Sequence, residues 1–424
     1  MPQRVRFPLV GVLMGLSRTA ELVAPALLDH HRRVAFLAHE IARAAGRKEP
    51  ERRTLALAGL IHDLGCLSLR EKLEMLEFER SFDLRTPGAH PAVGYALFRR
   101  LPAFAEAADL LRDHHLRWEA DLANRSLAEA PAACHILHLA DRVSVLFLNG
   151  HRLPHLDYVR RQVRRQSGRM FAPALVVAFL GLTEERGFWH RAAHPPVPEA
   201  LAAPAGEEGD ELSLGELAEL SRLFSQLVDF RSPFTATHAC GVSAVAAALA
   251  EALSLPAQTP PRLAVAGFLH DLGMLGVPGE LLAKAAPLTG VEYDLVKRHA
   301  RLTLEILAPV ASLGGLREWA GLHHERMDGL GYPFGRSGEA LSTECRVMAV
   351  ADVFVALTEG RPHRRCVEVS EALSVVRKMG EAGALDEGVV DALARDFGLL
   401  NAARTQAQSR AGEEYLRFRE LAGL

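Results

Sequence analysis

Apolar residues recur every three or four positions along most of this chain, with Ala, Leu, Arg and Glu filling the positions between them. The pattern is clear from His31 to Ala45, from Glu51 to Leu64 and from Pro91 to Leu101. This spacing places the apolar side chains on one face of a helix, and few alternating β-branched runs compete with it. We therefore predict an all-α fold.

The helical pattern stops over residues 194–212, HPPVPEALAAPAGEEGDEL, where Pro, Gly, Ala and acidic residues replace the apolar face. Such a composition is typical of a linker. We predict a first domain over residues 1–195, a linker over 196–212 and a second domain over 213–424. The next helix should span Ser213 to Phe230, with Ser213 as N-cap and Glu216 as its capping-box partner.

The two predicted domains carry the same ordered set of histidines and aspartates. Corresponding residues lie 208 apart at the first two positions, 209 apart at the next two and 211 apart at the last. A single His-Asp pair arises by chance about once in a chain of this composition, but five ordered elements at a nearly constant offset indicate an internal duplication. The first set is His30, His62-Asp63, His90, His114-His115 and Asp141, and the second is His238, His270-Asp271, His299, His323-His324 and Asp352.

Imidazole and carboxylate groups together suit first-row metals such as Fe, Mn or Zn. A carboxylate beside a histidine ligand can bridge two metal ions. Two ions roughly 3.5–4 Å apart can activate a water and neutralise a phosphodiester. The repeated set therefore predicts a two-metal site of the kind that metal phosphohydrolases use. The sequence contains neither a Walker A loop nor a Rossmann fingerprint, so nucleoside triphosphate hydrolysis and hydride transfer have no support.

Residues 323–335, HHERMDGLGYPFG, are present only in the second half. Adjacent histidines on a helix point about 100° apart, so one pair can serve two neighbouring ions. The glycines and Pro333 should end the helix and fold a loop over the site. The first half lacks this loop between His115 and Asp141.

Composition narrows the choice of partners and compartment. The 424 residues carry a formal net charge of −3, which gives no electrostatic reason to expect duplex nucleic acid as a partner. The five cysteines show no C-x-x-C spacing, so we expect reduced thiols in a cytoplasmic protein. Apolar runs such as Phe171 to Leu182 fall short of the roughly 18–20 residues that cross a bilayer, so no membrane association is expected.

From about Asp229 to Asp396 the chain resembles an HD-GYP domain, a branch of the metal-dependent HD phosphohydrolases of bacterial signalling that is associated with cyclic di-GMP hydrolysis. The resemblance rests on HDLGMLGVP, HHERMDGLGYPFG and ADVFVALTEGRPHRR. It implies a cyclic di-GMP phosphodiesterase with two divalent ions, expected to be iron or manganese, and with Asp271 and His270 at the catalytic centre. Signalling proteins are candidate partners. The implied metal ligands are His238, His270, Asp271, His299, His323, His324 and Asp352, and the implied substrate-binding residues are Asp328, Gly331, Tyr332, Pro333, Arg361 and Arg364.

Several positions depart from the family pattern, and two of them bear on the chemistry. Met274 stands where many members carry a phosphate-facing Lys, and the loss of one such group commonly costs on the order of 10²–10³ in rate. Phe234 stands where members with a third metal carry Glu, so two ions are expected. Two alternatives follow: a catalytically weak cyclic-dinucleotide sensor, or a phosphohydrolase that acts on another nucleotide.

The first half resembles an HD domain without the Gly-x-Gly-Tyr-Pro loop and without the paired arginines. Its histidines and aspartates form a second candidate metal site, and the alternative is a helical core in which they only satisfy hydrogen bonds. We expect a regulatory domain that does not hydrolyse cyclic dinucleotides itself. The residues of this candidate site are His30, His62, Asp63, His90, His114, His115 and Asp141. Histidines without counterparts, expected on the surface or on helix faces, include His135, His138, His151 and His155.

Overall fold

The computed structural model describes residues 7–22, 29–66, 89–120, 132–146, 156–198, 201, 211–230, 235–282, 284–360 and 366–422. Helices account for almost all of the regular structure in these ranges, which confirms the all-α prediction. None of the described helices is long and apolar enough to span a membrane.

The chain divides into two compact units. One contains residues 20–210, and its helices are α2 (His30–Ala44), α3 (Glu49–Ile61), α4 (His90–Phe98), α5 (Ala105–Arg112), α6 (Ala132–Val145), α7 (Leu156–Arg165), α8 (Pro173–Leu182) and α9 (Phe188–Ala193). We call this unit the first domain.

The second unit contains residues 211–420 together with the start of the chain, up to Thr19. Its helices are α1 (Leu9–Leu22), α10 (Leu214–Asp229), α11 (His238–Ala252), α12 (Thr259–Leu269), α13 (Gly279–Leu282), α14 (Gly290–Leu307), α15 (Gly315–Gly321), α16 (Thr343–Thr358), α17 (Val369–Glu381), α18 (Glu387–Arg395) and α19 (Phe397–Ala422). We call this unit the second domain.

The amino-terminal segment was expected in the first domain, but backbone pairing joins it to the second. Strand β1 (Phe7–Pro8) pairs antiparallel with strand β2 (Glu211–Leu212), and Phe7 is fully buried. The end of the predicted linker is therefore a short strand. Alternation cannot reveal a two-residue strand, because two residues contain no period to detect.

The start of α10 agrees with the sequence prediction. The Ser213 side chain accepts a hydrogen bond from the Glu216 backbone N–H, and the Glu216 carboxylate accepts one from the Ser213 backbone. Both halves of the capping box are present, so two donors at the helix start that would otherwise lack partners are satisfied. The helix ends at Asp229, next to the Phe230 boundary predicted from the pattern.

Each domain is built around a tight helix crossing at a repeated glycine. A Cβ atom at Gly267 of α12 would lie 2.5 Å from the Ser243 Cα atom of α11, and one at Gly59 of α3 would lie 2.6 Å from the Ala35 Cα atom of α2. These two glycines are 208 residues apart, the same offset as the histidines that follow them. The close backbone approach at each glycine fixes the position of the histidine three residues later, His62 in the first domain and His270 in the second.

His135 and His138 were expected on the surface or on a helix face; both are buried, at 3% and 1% exposure, so the surface alternative is wrong. Both belong to α6, which packs on α2, α3 and α5 and is buried along almost its whole length. Helical periodicity assigns polar residues to the exposed face. It therefore fails for a helix that is buried on all sides and carries polar residues in the interior. His151 and His155 lie outside the described residues.

Gly267→Ala should destabilise the second domain by about 1–3 kcal/mol, because the new methyl group meets backbone atoms that cannot rotate away. Gly290→Ala is the control: a Cβ there has nothing within 4 Å, so stability should change by less than about 1 kcal/mol. Urea unfolding followed by circular dichroism measures both. Equal unfolding midpoints for the two variants would contradict the crossing constraint.

Candidate metal centre

The His-Asp turn is fixed by direct contact with α14. His270 follows α12, and the next residues form a 3₁₀ helix (Leu272–Gly276). A Cβ atom at Gly273 would lie 2.0 Å from the His299 carbonyl oxygen, so only glycine allows this contact. The Gly273 N–H donates to the Thr303 hydroxyl at 3.0 Å, and that hydroxyl donates to the His270 carbonyl at 2.9 Å. Asp271 is thereby held against the histidine of α14.

The two carboxylate oxygens of Asp271 face different pairs of histidines. Its Oδ2 atom lies 3.4 Å from His270 Nε2 and 3.9 Å from His238 Nε2. Its Oδ1 atom lies 3.3 Å from His299 Nε2 and 3.9 Å from His323 Nε2. A carboxylate placed between two nitrogen pairs has the geometry required of a ligand that bridges two ions.

Asp352 of α16 closes the other side of the cluster. Its Oδ1 atom lies 3.2 Å from His238 Nε2 and 3.9 Å from His270 Nε2, and its Oδ2 atom lies 3.5 Å from His324 Nδ1. All seven residues that the sequence nominated as ligands therefore come together, although five different segments of the chain supply them.

Backbone carbonyls orient three of these histidines. The Nδ1 atoms of His270, His299 and His323 each lie 2.7 Å from the carbonyl oxygen three residues earlier, at Gly267, Val296 and Ala320 respectively. A carbonyl can only accept, so Nδ1 carries the hydrogen and the lone pair of Nε2 points into the cluster. Histidine ligands in metal sites are held in this way.

The ionisation of the cluster suits a cation. Burial lowers the pKa of His323 well below its usual value and that of His324 to about 4. Burial acts to raise the pKa of Asp271, but His270 and the other nearby imidazoles hold it well below normal. Neutral imidazoles beside ionised carboxylates are the forms that bind metals.

His270 is the exception among these groups. Burial works to lower its pKa, but the adjacent Asp271 carboxylate leaves it raised. Among the described residues its Nε2 atom has no hydrogen-bond partner while fully buried. A cation between the two side chains would replace the proton that the carboxylate attracts, so the donor set fits a divalent metal.

The Gly-x-Gly-Tyr-Pro loop of residues 329–333 packs on the centre through Tyr332. Its ring centroid lies 4.6 Å from that of His324 and 6.2 Å from that of His299, and its backbone N–H donates to the His324 carbonyl at 3.1 Å. A Cβ atom at Gly331 would lie 2.5 Å from that same carbonyl oxygen. The Tyr332-Pro333 peptide bond is cis. The glycine lets the loop backbone lie against the metal-binding turn.

Glu325 holds the carboxyl-terminal side of this loop through backbone hydrogen bonds. The sequence prediction missed this role. It is 2% exposed, and its two carboxylate oxygens accept the backbone N–H groups of Phe334 at 2.7 Å and Arg336 at 2.9 Å. The signal was its position directly after the paired histidines. Asp328 turns inward to the loop, where it pairs with Arg326 and accepts the Leu330 N–H at 3.0 Å, and its contact with substrate stays a prediction.

Two predicted phosphate contacts, Arg361 and Arg364, lie outside the described residues, and so does Phe234. Met274 is described: it is half-buried in the 3₁₀ helix that follows Asp271, with its N–H on the Asp271 carbonyl at 2.8 Å. An uncharged side chain therefore occupies the position directly after the His-Asp turn.

The first domain repeats the bridging arrangement atom by atom. The Asp63 Oδ2 atom lies 3.5 Å from His30 Nε2 and 3.2 Å from His62 Nε2, while Oδ1 lies 3.6 Å from His90 Nε2 and 3.7 Å from His114 Nε2. Asp141 closes this cluster as Asp352 closes the other, with Oδ1 3.5 Å from both His30 and His62 and Oδ2 4.0 Å from His115.

Solvent access separates the two clusters. The Asp271 and His324 side chains are 15% and 26% exposed, whereas their counterparts Asp63 and His115 are 2% and 4% exposed. Both Asp63 oxygens are buried without a hydrogen bond from any described residue. The first cluster thus fits a cation too, but it offers a substrate far less surface.

Two family models, each described as an HD domain, match residues 27–146 and 222–389. A 3′3′-cGAMP-specific phosphodiesterase of Vibrio cholerae is 30% identical over 90% of this chain and 90% of its own length. The match therefore includes both domains.

The chain belongs to the HD-GYP family. A second member, a cyclic di-GMP phosphodiesterase of Pseudomonas aeruginosa, is 36% identical over 46% of this chain and 48% of its own. The crystal structure of a cyclic GMP-AMP specific phosphodiesterase of V. cholerae shares the fold, with a TM-score of 0.59 at 21% identity over 93% of this chain and 98% of that one. The expected family is confirmed.

For this HD-GYP protein we expect two ions in the second domain, and Asp271→Ala should weaken the binding of both, since one carboxylate faces both histidine pairs. The loss should exceed the 10- to 100-fold in affinity that removal of a supporting partner typically costs. His324→Ala should weaken only one ion, and the exposed Asp391→Ala should weaken neither. Elemental analysis after dialysis measures this. Wild-type metal content in Asp271→Ala would refute the bridging role.

Proposed function

We propose that this chain is a cyclic-dinucleotide phosphodiesterase whose second domain carries the reaction. The observation that supports it most is the combination of a bridging Asp271, a partly open cluster and a Gly-Tyr-Pro loop packed on that cluster. Relatives with this domain are phosphodiesterases of cyclic di-GMP and of 3′3′-cGAMP. Cyclic di-GMP is the substrate that the motif resemblance implies.

A second substrate has its own support. The relative that spans both domains is specific for 3′3′-cGAMP, whereas the cyclic di-GMP relative named above covers about half of this chain. Cyclic di-GMP and 3′3′-cGAMP differ in one base and share the cyclic phosphodiester backbone, so the same reaction serves both. The proposal therefore concerns the class, with cyclic di-GMP first and 3′3′-cGAMP second.

The proposed ligands in the second domain are the Nε2 atoms of the four histidines that face Asp271, the Nδ1 atom of His324, and the carboxylates of Asp271 and Asp352. The corresponding atoms are the proposed ligands in the first domain. Iron or manganese suits this mixed nitrogen and oxygen set. Two divalent ions in the second domain would supply Lewis acidity towards the scissile phosphate and a water of lowered pKa.

The chain itself supplies position and shape. Tyr332 and Gly331 limit where a nucleotide can lie above His324, and Glu325 keeps the loop from moving away. Holding a phosphodiester in line with its attacking group accounts for much of the rate in phosphoryl transfer. The first domain has the candidate ligands, but its sequence lacks the Gly-x-Gly-Tyr-Pro motif, so we assign it a metal-binding regulatory role.

The test uses the full-length chain, purified without oxygen and loaded with Mn²⁺ or Fe²⁺, with cyclic di-GMP and 3′3′-cGAMP each followed by chromatography. His270→Ala should lower turnover by at least about 10³-fold, since the ions supply several kcal/mol. His62→Ala should lower turnover far less. Loss of turnover in His62→Ala but not in His270→Ala would reverse the assignment, and no turnover of either substrate would reject it.

Met274 favours one other function, a sensor that binds the nucleotide but hydrolyses it slowly. Met274→Lys should raise turnover by about tenfold or more, a part of the 10²–10³ that a lost cation costs. Met274→Leu, which stays apolar, should not raise turnover. If the Lys variant folds, keeps its metals and gains nothing, the uncharged residue does not limit the reaction.

A further inference from the structure

One metal-facing histidine is held differently from the others. His238 begins α11, and its Nδ1 atom lies 2.8 Å from the Glu359 Oε2 atom, where His270, His299 and His323 use backbone carbonyls. Glu359 directly follows α16 and is 8% exposed. An ionised carboxylate on Nδ1–H pulls on that hydrogen more strongly than a carbonyl does, which makes Nε2 a stronger donor to a metal.

Glu359 is in turn held by the last helix. Its Oε1 atom accepts a hydrogen bond from the Gln408 side-chain amide of α19 at 2.6 Å and lies 3.4 Å from the Thr237 hydroxyl. Thr237 immediately precedes His238. The carboxylate therefore has one oxygen for the histidine and the other for two neutral donors, and the Arg404 guanidinium of α19 hydrogen-bonds the Gln408 side-chain oxygen behind it.

The first domain provides an internal comparison. His30, the counterpart of His238, has its Nδ1 atom 3.0 Å from the Ser144 hydroxyl. Ser144 lies three residues after Asp141, where the second domain has Val355 after Asp352, and Glu359 lies seven residues after Asp352. Corresponding histidines in the two domains are thus held at Nδ1 by different groups. A neutral hydroxyl contacts His30 in the first domain, and a carboxylate contacts His238 in the second.

We propose that Glu359 is a positioning residue that strengthens His238 as a metal ligand, and that Gln408 makes the last helix part of the second-domain centre. This rests on the metal binding within the proposed function. Carboxylate supports of this kind typically change metal affinity by 10- to 100-fold. The first-domain centre, supported by Ser144, should not depend on this contact.

The test measures Mn²⁺ binding alone, from the paramagnetic resonance signal of the free ion, in the full chain and in an Asp63→Ala background that removes the first centre. Glu359→Gln keeps size and an acceptor oxygen but loses charge, and should raise the Kd of one ion about tenfold; Glu359→Ala should raise it further. Gln408→Ala should give a smaller rise, under about tenfold. Gln406→Ala, an exposed glutamine on the same helix, is the matched control and should leave the Kd unchanged.

A purely structural role predicts another result: Glu359→Gln would bind Mn²⁺ like wild type. That outcome overturns the proposal, and so does a wild-type chain that binds no Mn²⁺. Thermal unfolding of the metal-free variants separates loss of affinity from loss of fold. Because no nucleotide is present, a failure here leaves turnover by the wild type untouched, and absent turnover leaves the Mn²⁺ result standing.

Discussion

The candidate centre depends on a backbone contact that no side chain could replace. Gly273 lies against the His299 carbonyl, at a distance where any Cβ atom would overlap it. This contact brings the end of α12 onto α14 and leaves Asp271 between its neighbour His270 and histidines from three other places in the chain. Gly65 meets the His90 carbonyl in the same way in the first domain, with an added Cβ only 2.1 Å away. The glycine of the motif is therefore a packing requirement.

Charge explains why the ligands must be assembled so tightly. Two carboxylates, Asp271 and Asp352, lie among five imidazoles, and burial lowers the pKa of two of these, His323 and His324. Burying uncompensated negative charge costs several kcal/mol per ion unless opposite charge or hydrogen bonds offset it. A divalent cation is the group that offsets two carboxylates at once while leaving the histidines neutral. The polar interior of these helices is thus consistent with metal binding as part of folding.

The two domains share the same arrangement of candidate ligands but differ in the groups that surround it. The second has an exposed edge at His324, the loop of Tyr332 and a carboxylate behind His238. The first has a sealed cluster and a hydroxyl behind His30. Ligand atoms set which cations fit, whereas access and the supporting contacts set what the cations can do. Duplication preserved the first property and allowed the second to diverge.

The residue pattern was enough to predict the helical class, the internal repeat and the candidate ligands, because each is expressed in local periodicity or in residue identity at a fixed spacing. It also indicated the Ser213 cap, which involves two residues only three positions apart. It could not reveal Gln408 behind Glu359, the pairing of Phe7 with Leu212, or the burial of His138. These are contacts between segments far apart in the chain or consequences of packing on every side. Only the tertiary structure decides which distant groups meet, because burial and hydrogen bonding depend on distances in space that no local pattern records.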